Sequence, residues 1–315
     1  MTTPEHVSGT GLTRPKESAD EASVALGFGL GFVGVVAFSL TLPMTRLAVP
    51  ALGGAFVGLG RAEVAALLAL VVLLARRERV PARRHWAGLA TVALGVVLGF
   101  PLLTSLALEH VPSVHGAVIV GLLPAATAVM AVVRGGERPG VGFWLACGAG
   151  VVAVLLFAAA QGAGRPQPAD GLLLGAVLLG ALGYAEGGRL SRELGGWRVI
   201  CWALVLAAPL LVVPALLAAT RVDWGDVGAG AWFGFAYVAA VSAFLGFFAW
   251  YQGLALGGIA RVGQIQLVQP VLTLLWAALF LSEAVSLGTA SAAALVVASA
   301  ALSRWTRVQR PVEPT

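Results

Sequence analysis

The chain alternates long apolar stretches with short polar segments rich in Arg, Pro and Gly. A membrane helix needs about 20 mostly apolar residues, and the polar segments separate ten stretches of that length. The pattern therefore predicts ten membrane helices. They cover residues 24–46, 52–75, 87–108, 113–133, 141–160, 171–190, 198–219, 229–251, 259–281 and 285–303.

An internal repeat divides the ten helices into two sets of five. Five positions recur with the same residue type 146 residues later: Leu108, Pro124, Thr127, Glu137 and Gly142 return as Leu254, Pro270, Thr273, Glu283 and Gly288. Because five is odd, the second set enters the membrane in the opposite sense, which predicts two inverted repeats. The repeats span residues 23–160 and 161–305, between a disordered cytoplasmic tail at 1–22 and a second tail at 306–315.

Composition agrees with a membrane protein. Of 315 residues, 59% are hydrophobic and 11% are charged, whereas a soluble domain carries about 25% charged residues. The fold class is therefore an all-α membrane protein with the lipid bilayer as its surroundings. The net charge of +5 comes from Arg residues between apolar stretches, so it indicates membrane topology and not nucleic-acid binding.

The cationic residues also predict the orientation. With the N-terminus in the cytoplasm, sixteen Arg and Lys residues fall on the inside and four on the outside. This positive-inside bias places both termini in the cytoplasm of a bacterial cell, in its inner membrane.

The repeated residues resemble the EamA domain of the drug/metabolite transporter superfamily. The likeness rests on Ala107, Leu108 and their recurring partners, and it extends to Arg61 and to the segment 184–190. Glu186 and Arg134 depart from the expected pattern. The resemblance implies a secondary transporter that exports an amino acid or related small metabolite. A nucleotide-sugar carrier, a multidrug carrier and a passive channel remain alternatives, and a homodimer is left open.

Two prolines lie in the middle of the fourth and ninth predicted helices. Pro124 and Pro270 each remove a backbone donor, so each kinks its helix and frees a carbonyl. The kinks serve either helix packing or the substrate path, and the resemblance implies that these helices line the path.

Polar side chains near Pro270 are the main candidates for substrate contact. Gln266, Gln269 and Thr273 share a helix face, whereas Gln264 points about 200° away from Gln266 in an α-helix. Amides inside a membrane span face either a cavity or another helix. We interpret Gln266 and Gln269 as substrate contacts and include Gln264 and Thr273 in the path.

Two charged side chains have competing interpretations. Arg61 either attracts a substrate carboxylate, or it extends to the outer headgroups or has a structural role. The headgroup or structural interpretation is preferred, because Arg61 lies near the end of a predicted helix. Glu186 is the candidate for proton coupling, because an intramembrane carboxylate is a functional candidate by default. Its alternative is a salt bridge to Arg189, three residues on.

The remaining candidates are aromatic or structural. Tyr184 and Tyr251 adjoin the polar groups and are candidates to stack on substrate. Glu137 and Glu283 are expected to cap the helices that follow them, with no chemical role. We find no catalytic, cofactor or metal motif. The glycines of the G-x-G-x-x-G run at 29–34 lie within a membrane span, where they favour close helix packing.

Overall fold

The computed structural model describes residues 15–145, 148–149, 151–152, 167–282, 287–288, 291, 294 and 308–309. Helices account for nearly all of it. The first repeat contains α1 (Pro15–Ser39), α2 (Thr41–Leu52), α3 (Gly54–Ala75), α4 (Trp86–Val92), α5 (Phe100–Ala107), α6 (Ser113–Val120) and α7 (Leu123–Gly135). The second contains α8 (Pro168–Leu194), α9 (Gly196–Ala219), α10 (Ala229–Ala236), α11 (Gly246–Gly257), α12 (Ile259–Gly263) and α13 (Gln269–Leu281).

Irregular helical turns join some of these helices into longer spans. Ala93–Gly99 and Tyr237–Leu245 are π-helical, and Arg83–His85, Trp224–Asp226 and Gln264–Val268 are 3-10 turns. A two-residue ladder, not expected in an all-α chain, pairs β1 (Arg138–Pro139) with β2 (Val308–Gln309) in antiparallel order.

Seven helical spans in the described residues are long and apolar enough to cross a membrane. They are Ala22–Leu52, Gly54–Ala75, Arg83–Ala107, Pro168–Leu194, Gly196–Ala219, Ala229–Gly257 and Ile259–Leu281. Each coincides with a predicted helix. The first runs six residues further than expected and contains Pro50 inside α2, which removes the backbone hydrogen bond to the Arg46 carbonyl.

The other three predicted helices are seen only in part. The fourth is broken into α6 and α7, and α7 alone is too short to count as a full span. The predicted helices at 141–160 and 285–303 fall largely outside the described residues. The count of ten therefore remains a prediction.

The repeat is visible in the backbone. Helices α7 and α13 both contain 13 residues, and each boundary of α13 lies 146 positions after the corresponding boundary of α7. A left-handed residue ends each helix, Gly136 at φ 65° and Ser282 at φ 53°. The same offset in sequence and in helix boundaries shows that the repeated residues form equivalent elements.

Ion pairs gather at one end of the helical bundle, here called the basic end. Glu78 accepts a hydrogen bond from Arg198 at 2.7 Å, which lowers the pKa of Glu78, and His85 lies 2.9 Å from Glu193. The loops and helix ends that supply these residues were all predicted to lie on the cytoplasmic side. The structure therefore brings these predicted inside segments together.

The broken helix α6–α7 runs parallel to α8. His115 in α6 lies 2.7 Å from Asp170 at the start of α8, far from the basic end. Arg134 in α7 pairs with Glu186 near the other end of α8. The end of α7 and the start of α8 therefore lie at opposite ends of the bundle, as expected if one predicted membrane helix connects them.

The outer surface of the bundle is apolar. Leu67, Val71 and Leu74 on α3 are each more than 60% exposed, and Leu210 on α9 is 78% exposed. A water-soluble surface rarely exposes so many contiguous apolar side chains. These side chains suit contact with lipid tails.

Glycines allow α1 and α11 to approach closely. A methyl group on Gly27 would lie 2.5 Å from the backbone nitrogen of Gly257 and 3.1 Å from the Gly253 carbonyl oxygen. Gly31 faces Gly253 in the same interface. The packing role predicted for the glycine run at 29–34 is confirmed for Gly31 and Gly34, whereas Gly29 has no neighbouring atom within 4 Å of an added methyl group.

Gly27→Ala should therefore lower the free energy of unfolding by about 1–3 kcal/mol, because the added methyl group pushes two helix backbones apart. Gly29→Ala is the matched control. No atom lies within 4 Å of its added methyl group, and Ala favours helix by about 0.5–1 kcal/mol over Gly. Thermal unfolding of the two purified variants compares them. Equal stability would contradict the packing argument.

Candidate functional site

The two helix breaks stand at equivalent positions in the repeats. Pro124 lies in the first turn of α7, the second half of the fourth helix. Pro270 lies in the first turn of α13, which follows the 3-10 turn. A proline lacks the N–H that would bond the carbonyl four residues earlier. The freed carbonyls belong to Val120 and Gln266.

The breaks face each other across a small cavity. It is lined by Leu42, Ala117, Val120, Leu123, Pro124, Gln266, Gln269, Pro270 and Thr273. Its volume of about 10 Å³ is roughly the room that one water molecule needs. The structure thus brings five of the predicted site residues together, in a conformation closed around them.

The cavity has one apolar and one polar wall. Val120 and Leu123 come from the first repeat, and their equivalents in the second repeat are Gln266 and Gln269. Within the described part of the chain, neither side-chain atom of Gln266 makes a hydrogen bond in good geometry, although the residue is 1% exposed. The side-chain oxygen of Gln269 is likewise unbonded. Buried amides without partners suit a ligand that supplies them.

Thr273 stabilises a helix break besides lining the cavity. Its hydroxyl donates to the Ser39 carbonyl at 2.8 Å. Pro43 lacks the N–H that would otherwise bond that carbonyl in a continuous helix, so Thr273 satisfies it. Ser39 also accepts a hydrogen bond from Trp276 at 2.9 Å. Thr273 therefore connects α1 to the cavity wall.

Gln264 lies elsewhere in the core. It is buried but does not line the cavity. The predicted angle of 200° assumed an α-helix, whereas residues 264–268 form a 3-10 turn, which has three residues per turn. That geometry still places Gln266 and Gln269 on one face and Gln264 on another.

Arg61 does not extend to the membrane surface. Its side chain lies inside the bundle, where the residue is 2% exposed, and its Nε and Nη1 atoms lack hydrogen-bond partners. Headgroup contact, one half of the preferred interpretation, is therefore wrong, and its other half, a structural role, is not tested by this burial. The surrounding helices cover α3 at this position, which the sequence of α3 alone does not reveal.

Tyr184 stands at the centre of an aromatic cluster. Its ring lies 5.3 Å from Trp250 and 6.2 Å from Phe38. Its hydroxyl lies beside Gln266 and interacts electrostatically with Arg61. Tyr251 packs against Gly187, and its hydroxyl donates to the Gly183 carbonyl at 3.1 Å. In this conformation Tyr184 adjoins the polar site, and Tyr251 is engaged in helix packing.

Glu186 sits between two arginines. Its carboxylate accepts from Arg189 at 2.5 Å, as the alternative interpretation predicted, and from Arg134 at 3.0 Å. Glu186 is 1% exposed, whereas both arginine side chains are partly open to solvent. Two guanidinium groups therefore hold the buried side chain of Glu186 by charge-assisted hydrogen bonds. The pair with Arg134 links the first repeat to the second.

Glu137 caps a helix distant in sequence. Its two oxygens accept from the backbone nitrogens of Ile259 and Ala260 at 2.8 and 2.7 Å, and Arg192 donates to it at 2.9 Å. Glu137 thus caps α12 and not the helix that follows it, so that expectation is wrong. Glu283 lies outside the described residues. We call Arg134, Glu137, Glu186, Arg189 and Arg192 the basic lock.

Sequence reasoning did not select Arg192 or Ser39, which hold Glu137 and Thr273 in place. Arg134 had been noted only as a departure from the repeat, since its counterpart is Phe280. That departure was a usable signal, because a charge in one copy alone points to a partner outside the repeated scaffold.

Comparisons with known proteins agree on one family. The profile of the EamA-like transporter family matches residues 25–159 and again 167–305. The chain is 49% identical over 255 residues to a Bacillus subtilis (strain 168) protein described as "Uncharacterized transporter YdeK", covering 81% of this chain and 88% of that protein. A solved crystal structure has a similar fold, with a TM-score of 0.69 over 90% of this chain and 96% of that one, at 18% identity.

Proposed function

Since the chain belongs to the EamA-like transporter family and is a multi-pass membrane protein, we propose that it exports an amino acid or related small metabolite. It does so by alternating access, as a secondary transporter of the bacterial inner membrane with both termini in the cytoplasm. The cavity between the two broken helices is the substrate site. The inverted repeats provide two equivalent openings, one toward each side.

The observation that carries this proposal is the meeting of Pro124 and Pro270 at one cavity. Interrupted helices at the interface of two repeats are typical of substrate sites in secondary transporters. The amide of Gln266 and the side-chain oxygen of Gln269, which lack hydrogen bonds of good geometry among the described residues, supply polar contacts there. The cavity enlarges when the repeats move apart, because its present volume excludes a metabolite.

The basic lock supports alternating access. It joins the end of α7 in the first repeat to α8 and α12 in the second. Arg134, Arg189 and Arg192 are partly exposed, so water can take over their hydrogen bonds when the lock opens. Opening the lock exposes the cavity to the cytoplasm, and closing it precedes release outside.

The same contacts support the proposal that Glu186 couples transport to protons. Arg134 and Arg189 both bind its side chain in the closed conformation. Separation of Arg134 during opening removes one of these charges and allows Glu186 to take up a proton. Proton binding and opening of the lock are then one coupled event, which ties transport to a proton gradient.

The test is an export screen in cells that produce the wild type or Gln266→Ala. Cells with the wild type should resist and release at least one amino acid or related metabolite. Gln266→Ala should reduce that export about tenfold, the effect of losing one or two buried hydrogen bonds to substrate. Gln264→Ala is the matched control, because Gln264 does not line the cavity.

Equal export by the wild type and Gln266→Ala for every exported compound would reject the cavity as the substrate site. Counterflow in vesicles then separates carrier from channel. A carrier shows saturation and accelerated exchange of labelled substrate, whereas a passive channel shows neither.

A further inference from the structure

Arg61 is a buried cation without a counter-ion. Within the described part of the chain, no carboxylate lies within ion-pair distance of it, and two of its nitrogens have no hydrogen-bond partner. Glu63, two residues on, projects about 200° around α3 from Arg61. Buried charges are normally paired, because an unpaired one costs several kcal/mol. Its burial therefore needs a compensating partner that the described residues do not supply.

Other unpartnered groups surround the same place. Tyr184 adjoins Arg61, Gln266 and Trp250. Neither amide atom of Gln266 makes a hydrogen bond of good geometry, although the amide lies beside the Tyr184 hydroxyl, and the indole Nε1 of Trp250 also lacks a partner among the described residues. Three neighbours of Tyr184 thus each carry an N–H donor without a partner of good geometry: Arg61, Gln266 and Trp250. A single unpaired group has several explanations, whereas converging donors around a cation indicate an anion site.

The two buried acidic residues of the basic lock are already engaged. Glu186 is bound by Arg134 and Arg189, and Glu137 by Arg192 and two backbone nitrogens. Neither is free to neutralise Arg61. The local charge of the site is therefore positive, and it favours a ligand that carries a negative group.

We propose that Arg61 binds a carboxylate of the transported molecule, with Gln266 and Trp250 as further donors. The planar guanidinium presents paired N–H groups that match a carboxylate. Phe38 and Tyr184 supply an aromatic wall for the organic part of the molecule. This inference rests on the proposed function and restricts the cargo to small carboxylates.

The test uses purified full-length protein and matched acid and amide probes. The pairs are leucine and leucinamide, phenylalanine and phenylalaninamide, and 3-phenylpropionate and 3-phenylpropionamide. Binding is measured as the increase in unfolding temperature with probe concentration. For at least one pair, the acid should bind the wild type at least about tenfold more tightly than the amide, as expected for a charge-assisted hydrogen bond.

Arg61→Gln should abolish this preference. Arg46→Gln is the matched control. Arg46 lies in α2, donates to the Leu108 carbonyl and is outside the aromatic cluster. It should keep the preference. Arg61→Lys keeps a charge without the planar geometry, so it should bind the acid more weakly than the wild type, and it provides the test if Arg61→Gln does not fold.

The inference is overturned if no acid binds more tightly than its amide, or if Arg61→Gln retains the preference. These outcomes are separable from failure of the proposed function. Export of an uncharged compound at equal rates by the wild type and Arg61→Gln would leave the transporter function standing and remove the carboxylate site.

Discussion

Replacing Glu137 by alanine should lower the free energy of unfolding by about 3–5 kcal/mol, the range for removing one partner of a buried charge pair. Glu137 is 1% exposed and accepts hydrogen bonds from Arg192, Ile259 and Ala260. The substitution leaves the first N–H groups of α12 unsatisfied inside the protein. It also removes a negative charge from the positive end of that helix.

Thermal and denaturant unfolding of purified protein would measure this loss. Glu193→Ala is the control, because Glu193 also pairs at the basic end, with His85, but its side chain is 46% exposed. An exposed pair contributes at most about 1 kcal/mol. If both variants lose the same stability, Glu137 does not hold the two repeats together as described.

Glu186→Gln should abolish the dependence of transport on the proton gradient. The amide does not take up or release a net proton in the physiological pH range. It also no longer neutralises Arg134 and Arg189. We expect transport by the variant to become downhill and to stop responding to an imposed pH gradient. Tyr251 also lies near Glu186, so Tyr251→Phe checks that its hydroxyl is not the proton carrier.

Uptake into proteoliposomes with and without an imposed pH gradient makes the measurement. Glu193→Gln on the same helix should behave as the wild type. A pH response that persists in Glu186→Gln would eliminate Glu186 as the proton carrier and leave it with a structural duty in the basic lock.

The fold followed from sequence further than the site did. Apolar length and the repeat of 146 residues located seven of the observed spans and both helix breaks at Pro124 and Pro270. The same patterns placed Gln266, Gln269 and Thr273 together, because they share one face of one short segment. For these residues local spacing was sufficient.

Contacts between distant segments were not accessible in the same way. Glu137 caps α12 across more than 120 residues of sequence. Nothing in the local sequence of either segment indicates that it contacts the other. The burial of Arg61 depends on packing of neighbouring helices over α3. Helical periodicity reports which residues share a face, but not what covers that face.

By itself, the sequence therefore determined that this is a membrane protein of duplicated helical repeats with prolines at equivalent breaks, because hydrophobic length and residue identity are local properties. Only the tertiary structure decided that Arg61 is a buried cation with no ion-pair partner among the described residues, and that Glu186 is held by two arginines. The physical reason is that the state of a charge depends on the groups that surround it in space, and those groups come from several helices.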